Sequence, residues 1–196
     1  MTRRIVLMLG VLLLVAVGLA LYAWRLHKRV AADEQRLTEQ QQQVAAPASG
    51  PAANVTLYLA SDADASLYKK SVSVPLPAER SEQARAILRA LFGTYLQSGS
   101  GHPIGAGADV RDVYLLSDGS AVVDTNAAFA DAHPSGVLAE ELTITSIVAT
   151  LNANDPKIDR VKIIVNGAER ETLAGHADLR RFYTASGMGQ LAKELQ

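Results

Sequence analysis

Residues 110–125 read VRDVYLLSDGSAVVDT, and this stretch decides the fold. Val110 to Leu116 and Ala121 to Thr125 are rich in β-branched and apolar residues, with Ser117-Asp118-Gly119-Ser120 between them. An Asp-Gly pair suits a tight turn because glycine enters the left-handed backbone region without a Cβ clash, so a β-hairpin is expected. Downstream, Ser135 to Leu151 contains Thr143, Ile144, Thr145, Ile147, Val148 and Thr150, which favour strand locally. Length decides for a helix: seventeen residues exceed the ~5–6 of a usual strand, and Leu138, Leu142, Val148 and Leu151 share one helical face. Arg160 to Val165 then alternates, with Val161, Ile163 and Val165 on one side, and ends at the turn pair Asn166-Gly167. A return strand over Arg170 to Leu173 is expected to complete a second hairpin.

Upstream, Val55-Thr56-Leu57-Tyr58-Leu59 is β-branched and aromatic enough for a first strand, and Leu67 to Val74, bounded by Pro75 and Pro77, reads as its partner. Ala84, Ile87, Leu88, Leu91 and Tyr95 recur at spacings of three and four, which predicts a helix from about Ser81 to Gln97. Ser98-Gly99-Ser100-Gly101 ends it, and Gly105 and Gly107 continue a loop. Two helices among paired strands imply an α+β fold, with the helices covering one face of a mixed or antiparallel sheet.

The order of these pieces resembles the GerMN domain, found in sporulation, spore-germination and other bacterial envelope proteins. The likeness spans most of Val55 to Leu179. It is carried by Val55-Thr56-Leu57-Tyr58-Leu59; by Asp118-Gly119-Ser120-Ala121-Val122-Val123-Asp124 followed by Phe129; by Ile147-Val148-Ala149-Thr150-Leu151; and by Val161-Lys162-Ile163-Ile164-Val165-Asn166-Gly167 closing with Leu173-Ala174-Gly175-His176. The chain departs from the family's common Gly-Pro after the first helix, having Gly93-Thr94, and from its common Asp-Leu-Ser, having Asp124-Thr125-Asn126. The resemblance implies an extracytoplasmic, non-catalytic module, often anchored by lipid or helix and associated with cell-envelope assembly.

The N-terminal part has a different character. Ile5 to Trp24, IVLMLGVLLLVAVGLALYAW, is twenty residues without a charge, and at about 1.5 Å per residue it spans roughly the 30 Å of a bilayer core. A cleaved signal peptide usually has an apolar region of only ~7–15 residues, so an uncleaved anchor is expected even though Gly18-Leu19-Ala20 weakly resembles a cleavage site. Tyr22 and Trp24 suit the interfacial belt. Arg25, Lys28, Arg29 and Arg36 follow the span while Arg3 and Arg4 precede it, a count that favours a cytoplasmic C-terminus. The family resemblance points the other way, and a small charge excess is only a bias, so the domain is expected outside the cytoplasm. Val30, Leu37 and Val44 lie at sevenfold spacing, too few for a sustained coiled coil, so that stretch reads as a solvated continuation of the helix. Pro47-Ala48-Ser49-Gly50-Pro51 stops it. The expected organisation is a flank at 1–4, a membrane span at 5–24, a polar helix and linker at 25–53, one α+β domain at 54–183 and a loosely held tail at 184–196.

Composition removes several function classes. The 196-residue chain has a formal net charge of -1, without the basic excess that neutralises nucleic-acid phosphates. It has no cysteine, which excludes disulfides, thiolate zinc sites, a cysteine nucleophile and an N-terminal lipidated cysteine. His102, His133 and His176 are too far apart for any local ligand spacing and read as loop residues. Asp62-Ala63-Asp64-Ala65-Ser66 imitates the start of a calcium loop, but Leu67 stands where glycine is needed and Ser73 where a bidentate glutamate is needed. Gly101-His102-Pro103-Ile104-Gly105-Ala106-Gly107 lacks the setting of a phosphate loop and reads as a flexible connection. No Gly-x-Ser-x-Gly elbow is present. Glu140 and Glu141, adjacent on a helix, do not face each other as a paired acid and base would, and read as solvated surface.

No catalytic, metal or cofactor-binding residue is therefore assigned. The leading expectation is a membrane-held binding or assembly module whose partner is an envelope protein, a second copy or cell-wall polymer. The alternative is an envelope hydrolase with a site assembled from His102, His176 and an acid such as Asp124 or Asp178.

Overall fold

A computed structural model describes residues 50–187. The apolar span at 5–24, most of the 25–53 stretch and the end of the tail lie outside the described residues. Among the described residues no helix is long and apolar enough to cross a membrane.

Strand β1 (Ala52–Ser61) pairs antiparallel with β2 (Ser66–Pro75), placing Val55 opposite Val72 and Tyr58 opposite Lys69. Helix α1 (Arg80–Tyr95) starts at Glu79, whose carboxylate accepts the Glu82 N–H at 2.9 Å and satisfies one of the donors a helix start leaves open. The expected stripe of Ala84, Ile87, Leu88, Leu91 and Tyr95 is buried.

The second sheet contains β3 (Val110–Leu115), β4 (Ser120–Thr125), β5 (Arg160–Val165) and β6 (Tyr183–Thr184) in that order. The expected hairpin joins β3 to β4. Its turn is closed by the Gly119 N–H donating to the Leu116 carbonyl at 3.3 Å, with Gly119 at φ +82, and a Cβ there would lie 2.8 Å from the Lys157 carbonyl oxygen. Backbone conformation and close approach therefore both require glycine at this position.

Between β4 and β5 the chain forms α2 (Ala127–Asp131) and α3 (Val137–Asn154), and β5 returns parallel to β4. A parallel neighbour needs such a long crossover, and α3 supplies it. The short α2 has no counterpart among the helices expected from the sequence. Asn126, at a position where the chain departs from its look-alikes, accepts the Phe129 N–H at 3.1 Å and so caps it.

Two further differences have local causes. Arg170 to Leu173 forms no return strand on β5: only isolated bridges, Val165 with Ala168 and Thr172 with Asp178, occur there, and β6 takes the place beside β5. The following backbone is drawn instead to a carboxylate on α3, described below. The glycine-rich 101–107 connection is also no loose tether. His102, Ile104 and Gly105 are buried, and a Cβ on Gly105 would meet Ala132 at 2.6 Å.

The core lies between the inner face of the second sheet (Val110, Val113, Ala121, Val123, Val161, Ile163) and the apolar sides of α1, α3 and β1. Phe92 of α1 stacks on Phe129 of α2 with ring centroids 5.1 Å apart. Leu138, expected on the buried face of α3, is instead 37% exposed, because the first turn of that helix projects past the core.

Candidate functional site

The first sheet does not join the second, although β1 has an open edge to offer. That edge is sealed by a helix. Glu140, Thr143, Ser146, Thr150 and Asn154 recur along α3 at spacings of three and four, so they form one polar stripe. Asn154 accepts the Thr56 N–H at 3.0 Å and donates to the Thr56 carbonyl at 2.7 Å, as a neighbouring strand would. Thr150 accepts the Tyr58 N–H at 3.0 Å, and Ser146 donates to the Tyr58 carbonyl at 2.6 Å. From α1, Tyr95 Oη accepts the Ala60 N–H at 2.8 Å and meets Ser146 Oγ at 2.5 Å. Burial pushes the Tyr95 phenol up to about 12, against the Ser146 hydroxyl, which lowers it.

Replacing Tyr95 by phenylalanine would leave the buried Ala60 N–H without its acceptor. The expected loss is about 1–3 kcal/mol of stability, read from urea denaturation. No change would mean that water takes over the hydroxyl's role.

One turn earlier on α3, the stripe gathers two histidines that lie 31 residues apart in sequence. His102 Nε2 lies 2.6 Å and His133 Nε2 2.8 Å from Thr143 Oγ1, which also donates to the Ala139 carbonyl at 3.0 Å. Asp62 Oδ1 stands 2.5 Å from His102 Nδ1, and the Pro134 carbonyl 2.8 Å from His133 Nδ1. His102 and His133 are loop residues, as expected, but buried ones. Burial pushes His133 below its ordinary value, although the Pro134 carbonyl favours the protonated ring.

The order Asp62, His102, Thr143 matches the connectivity of an acid–histidine–hydroxyl triad. Chemistry at the hydroxyl is nevertheless obstructed. Thr143 is 0% exposed, and its oxygen already meets three polar partners. A nucleophile needs a free approach for the reacting carbonyl and donors for the developing oxyanion.

At the start of the stripe, Glu140 is fully buried, which corrects its expected place on a solvated face. Its carboxylate accepts the backbone N–H groups of Ala174, His176 and Ala177 at 3.0, 2.9 and 2.8 Å, and that of Gly136 at 3.2 Å. The His176 ring approaches it through Nδ1 at 2.9 Å. Burial alone would raise this carboxyl, but the donors from Ala177, His176 and Ala174 outweigh it and hold it at about 2. Glu140 thus pins the 174–177 segment to α3, which is why no strand forms there. Glu141, half-buried, takes no part in this arrangement.

The residues of the hydrolase alternative are used separately. Asp124 is buried and accepts the Gly167 N–H at 2.8 Å, closing the turn after β5. Asp178 is bound by Arg180, whose guanidinium holds the carboxyl below its ordinary value. His176 serves Glu140, and His102 serves Thr143 and Asp62. A cavity of about 190 Å³ beside the C-terminal end of α1 is lined by Leu59, Tyr68, Thr94, Tyr95 and the 97–101 loop, and by none of these four residues. Among the described residues no cluster of three His, Asp or Glu side chains could hold a metal ion.

Comparison with known proteins gives a family match over residues 56–171 to Germane, described as sporulation and spore germination. A solved Clostridium perfringens chain, provisionally described as a lipoprotein, is similar at 16% identity and TM-score 0.49, covering 69% of this chain and 89% of that one. The first GerMN domain of the sporulation protein GerM from Bacillus subtilis is similar at 21% identity and TM-score 0.46, covering 65% and 92%. The tandem GerMN domains of the same protein give 23% identity and TM-score 0.45, covering 66% of this chain and 44% of the pair. No curated protein matches.

Proposed function

We propose, from the premise that this chain belongs to the Germane family of sporulation and spore germination domains, that it is a membrane-anchored, non-catalytic binding or assembly module of the bacterial cell envelope. Residues 5–24 hold it in the bilayer as a single span, 25–53 act as a spacer, and the domain at 54–183 stands outside the cytoplasm with 184–196 as its tail. Its partner is an envelope protein, a second copy or cell-wall polymer.

The observation that carries this reading is the employment of the groups capable of acid–base chemistry. Glu140, His102, His133 and Thr143 are buried and bonded to one another, to backbone or to Asp62. Catalysis at the Thr143 hydroxyl would require it to leave a partner for substrate, whereas these groups hold the turn at Asp62, the 101–107 loop and the 174–177 segment onto α3.

The test is Thr143→Val in the full chain, expressed in cells lacking the wild-type protein. The variant should correct the defect of the deletion as wild type does once circular dichroism shows it folded, at a cost of about 1–3 kcal/mol for imidazole nitrogens left short of a partner. A folded Thr143→Val that fails where Thr143→Ser succeeds would make the hydroxyl chemical and overturn the reading.

A further inference from the structure

The α3 side chains that seal β1 also determine which backbone groups of β2 are free. Thr56, Tyr58 and Ala60 aim their N–H groups at Asn154, Thr150 and Tyr95, so the alternate residues Val55, Leu57 and Leu59 bond across to β2. Their partners Val72, Lys70 and Tyr68 turn their backbone N–H and C=O groups toward β1. By the strict alternation of an antiparallel ladder, Leu67, Lys69, Ser71 and Ser73 present their N–H and C=O groups at the opposite edge. Among the described residues nothing pairs with that edge, since β1 is the only strand beside β2.

A ten-residue open edge is a template for another strand, and proteins commonly blunt one with lysine. Here Lys69 and Lys70 lie exposed at the middle of β2, beside Tyr68 at 51% exposure. Lys69 rests over the Tyr58 ring, its ammonium 5.4 Å from the centroid. The nearby acids are already engaged, Asp62 with His102 and Asp64 with the Ser61 hydroxyl. Two β2 edges paired antiparallel and centred on each other would set Lys70 against Lys70 of the second copy, and like charges directly opposite are destabilising. The same lysines favour an acidic strand. At the Tyr68 end, the cavity of about 190 Å³ has no charged residue in its lining, which suits one uncharged side chain of an incoming segment.

We propose that the outer edge of β2 accepts an extended, acidic segment of a partner protein by strand addition. Backbone pairing runs along Leu67, Lys69, Ser71 and Ser73, Lys69 and Lys70 select the charge, and the cavity beside Tyr68 receives a side chain. This rests on the assembly function and names its contact.

The experiment follows amide hydrogen exchange in the full chain, held in nanodiscs of uncharged lipid. The probe is a ten-residue peptide of alternating glutamate and valine, with its lysine–valine counterpart as control. The glutamate peptide should slow exchange at Leu67, Lys69, Ser71 and Ser73 by about tenfold or more, and the lysine peptide should not. Ser71→Pro removes an outward N–H without breaking the β1–β2 ladder, so it should abolish the protection while leaving the melting temperature near that of wild type. The double substitution K69E and K70E should transfer the preference to the lysine peptide.

Absence of protection by the glutamate peptide, or equal protection by both peptides, would overturn the proposal. So would protection that rises with protein concentration alone, which identifies a second copy, or protection that appears without peptide when anionic lipid is added, which identifies the bilayer. If Ser71→Pro keeps its partner cross-link in native membranes, the edge is the wrong surface while the assembly function stands. If wild type shows no partner cross-link there at all, the assembly function itself fails.

Discussion

Replacing Glu140 by alanine should remove roughly 3–5 kcal/mol of folding stability, because four N–H groups, that of Ala177 buried and the others partly buried, lose one shared acceptor, at ~1–3 kcal/mol for each buried donor in a set that is not additive. That is a large part of the ~5–15 kcal/mol that holds a domain together, so Glu140→Gln is the better measured variant. The glutamine keeps the volume but offers one acceptor oxygen and no charge. Its second signature is in pH. The carboxyl sits at about 2 in the folded protein against an ordinary 4.5, so the unfolded chain takes up the proton first as pH falls. The stabilisation is therefore complete above about pH 5 and disappears toward pH 2, amounting to about 3 kcal/mol at ~1.4 kcal/mol per pH unit of separation. Urea melts at pH 7, 5 and 3 should show wild type losing about 2 kcal/mol of this increment by pH 3, and Glu140→Gln starting lower and losing less. Asp155 and Asp178 are also held below their ordinary values, but they contribute to both proteins and cancel in the difference. Equal pH slopes for the two proteins would contradict the anchoring role.

Much of this fold is legible in the chain because its apolar periods are clean. The α1 stripe, the alternation of β5 and the Asp118-Gly119 turn each state one local structure, and each forms as read. The polar stripe of α3 was available as well. Glu140, Thr143, Ser146, Thr150 and Asn154 have helical spacing, yet a polar helical face ordinarily means solvent. Here it means a strand edge, since small hydroxyls and an amide replace the missing neighbour of β1. Nothing local distinguishes the two cases. The histidine network was hidden for a related reason: His102 and His133 meet only because two loops converge on Thr143. The false return strand over Arg170 to Leu173 had the right residues, but its continuation is captured by Glu140, a contact across 34 residues.

Releasing the domain from its proposed anchor should weaken association strongly without altering any contact surface of the domain. Two modules held in one membrane meet at an effective concentration set by their spacers, and such linkage raises apparent binding by about 10²–10⁴ without a new contact. A contact of high-micromolar strength would then be occupied in the membrane and largely empty in solution. The Pro47-Ala48-Ser49-Gly50-Pro51 linker offers a place to separate the two conditions, because a protease site inserted there lets the domain fold in place and be freed afterwards. The decisive measurement is the yield of cross-linked adduct in native membranes from one preparation, taken before and after cleavage at that site. One recurrent adduct should be present before cleavage and nearly absent after it, while circular dichroism shows the released domain still folded. An adduct of undiminished yield after release would contradict membrane-dependent assembly.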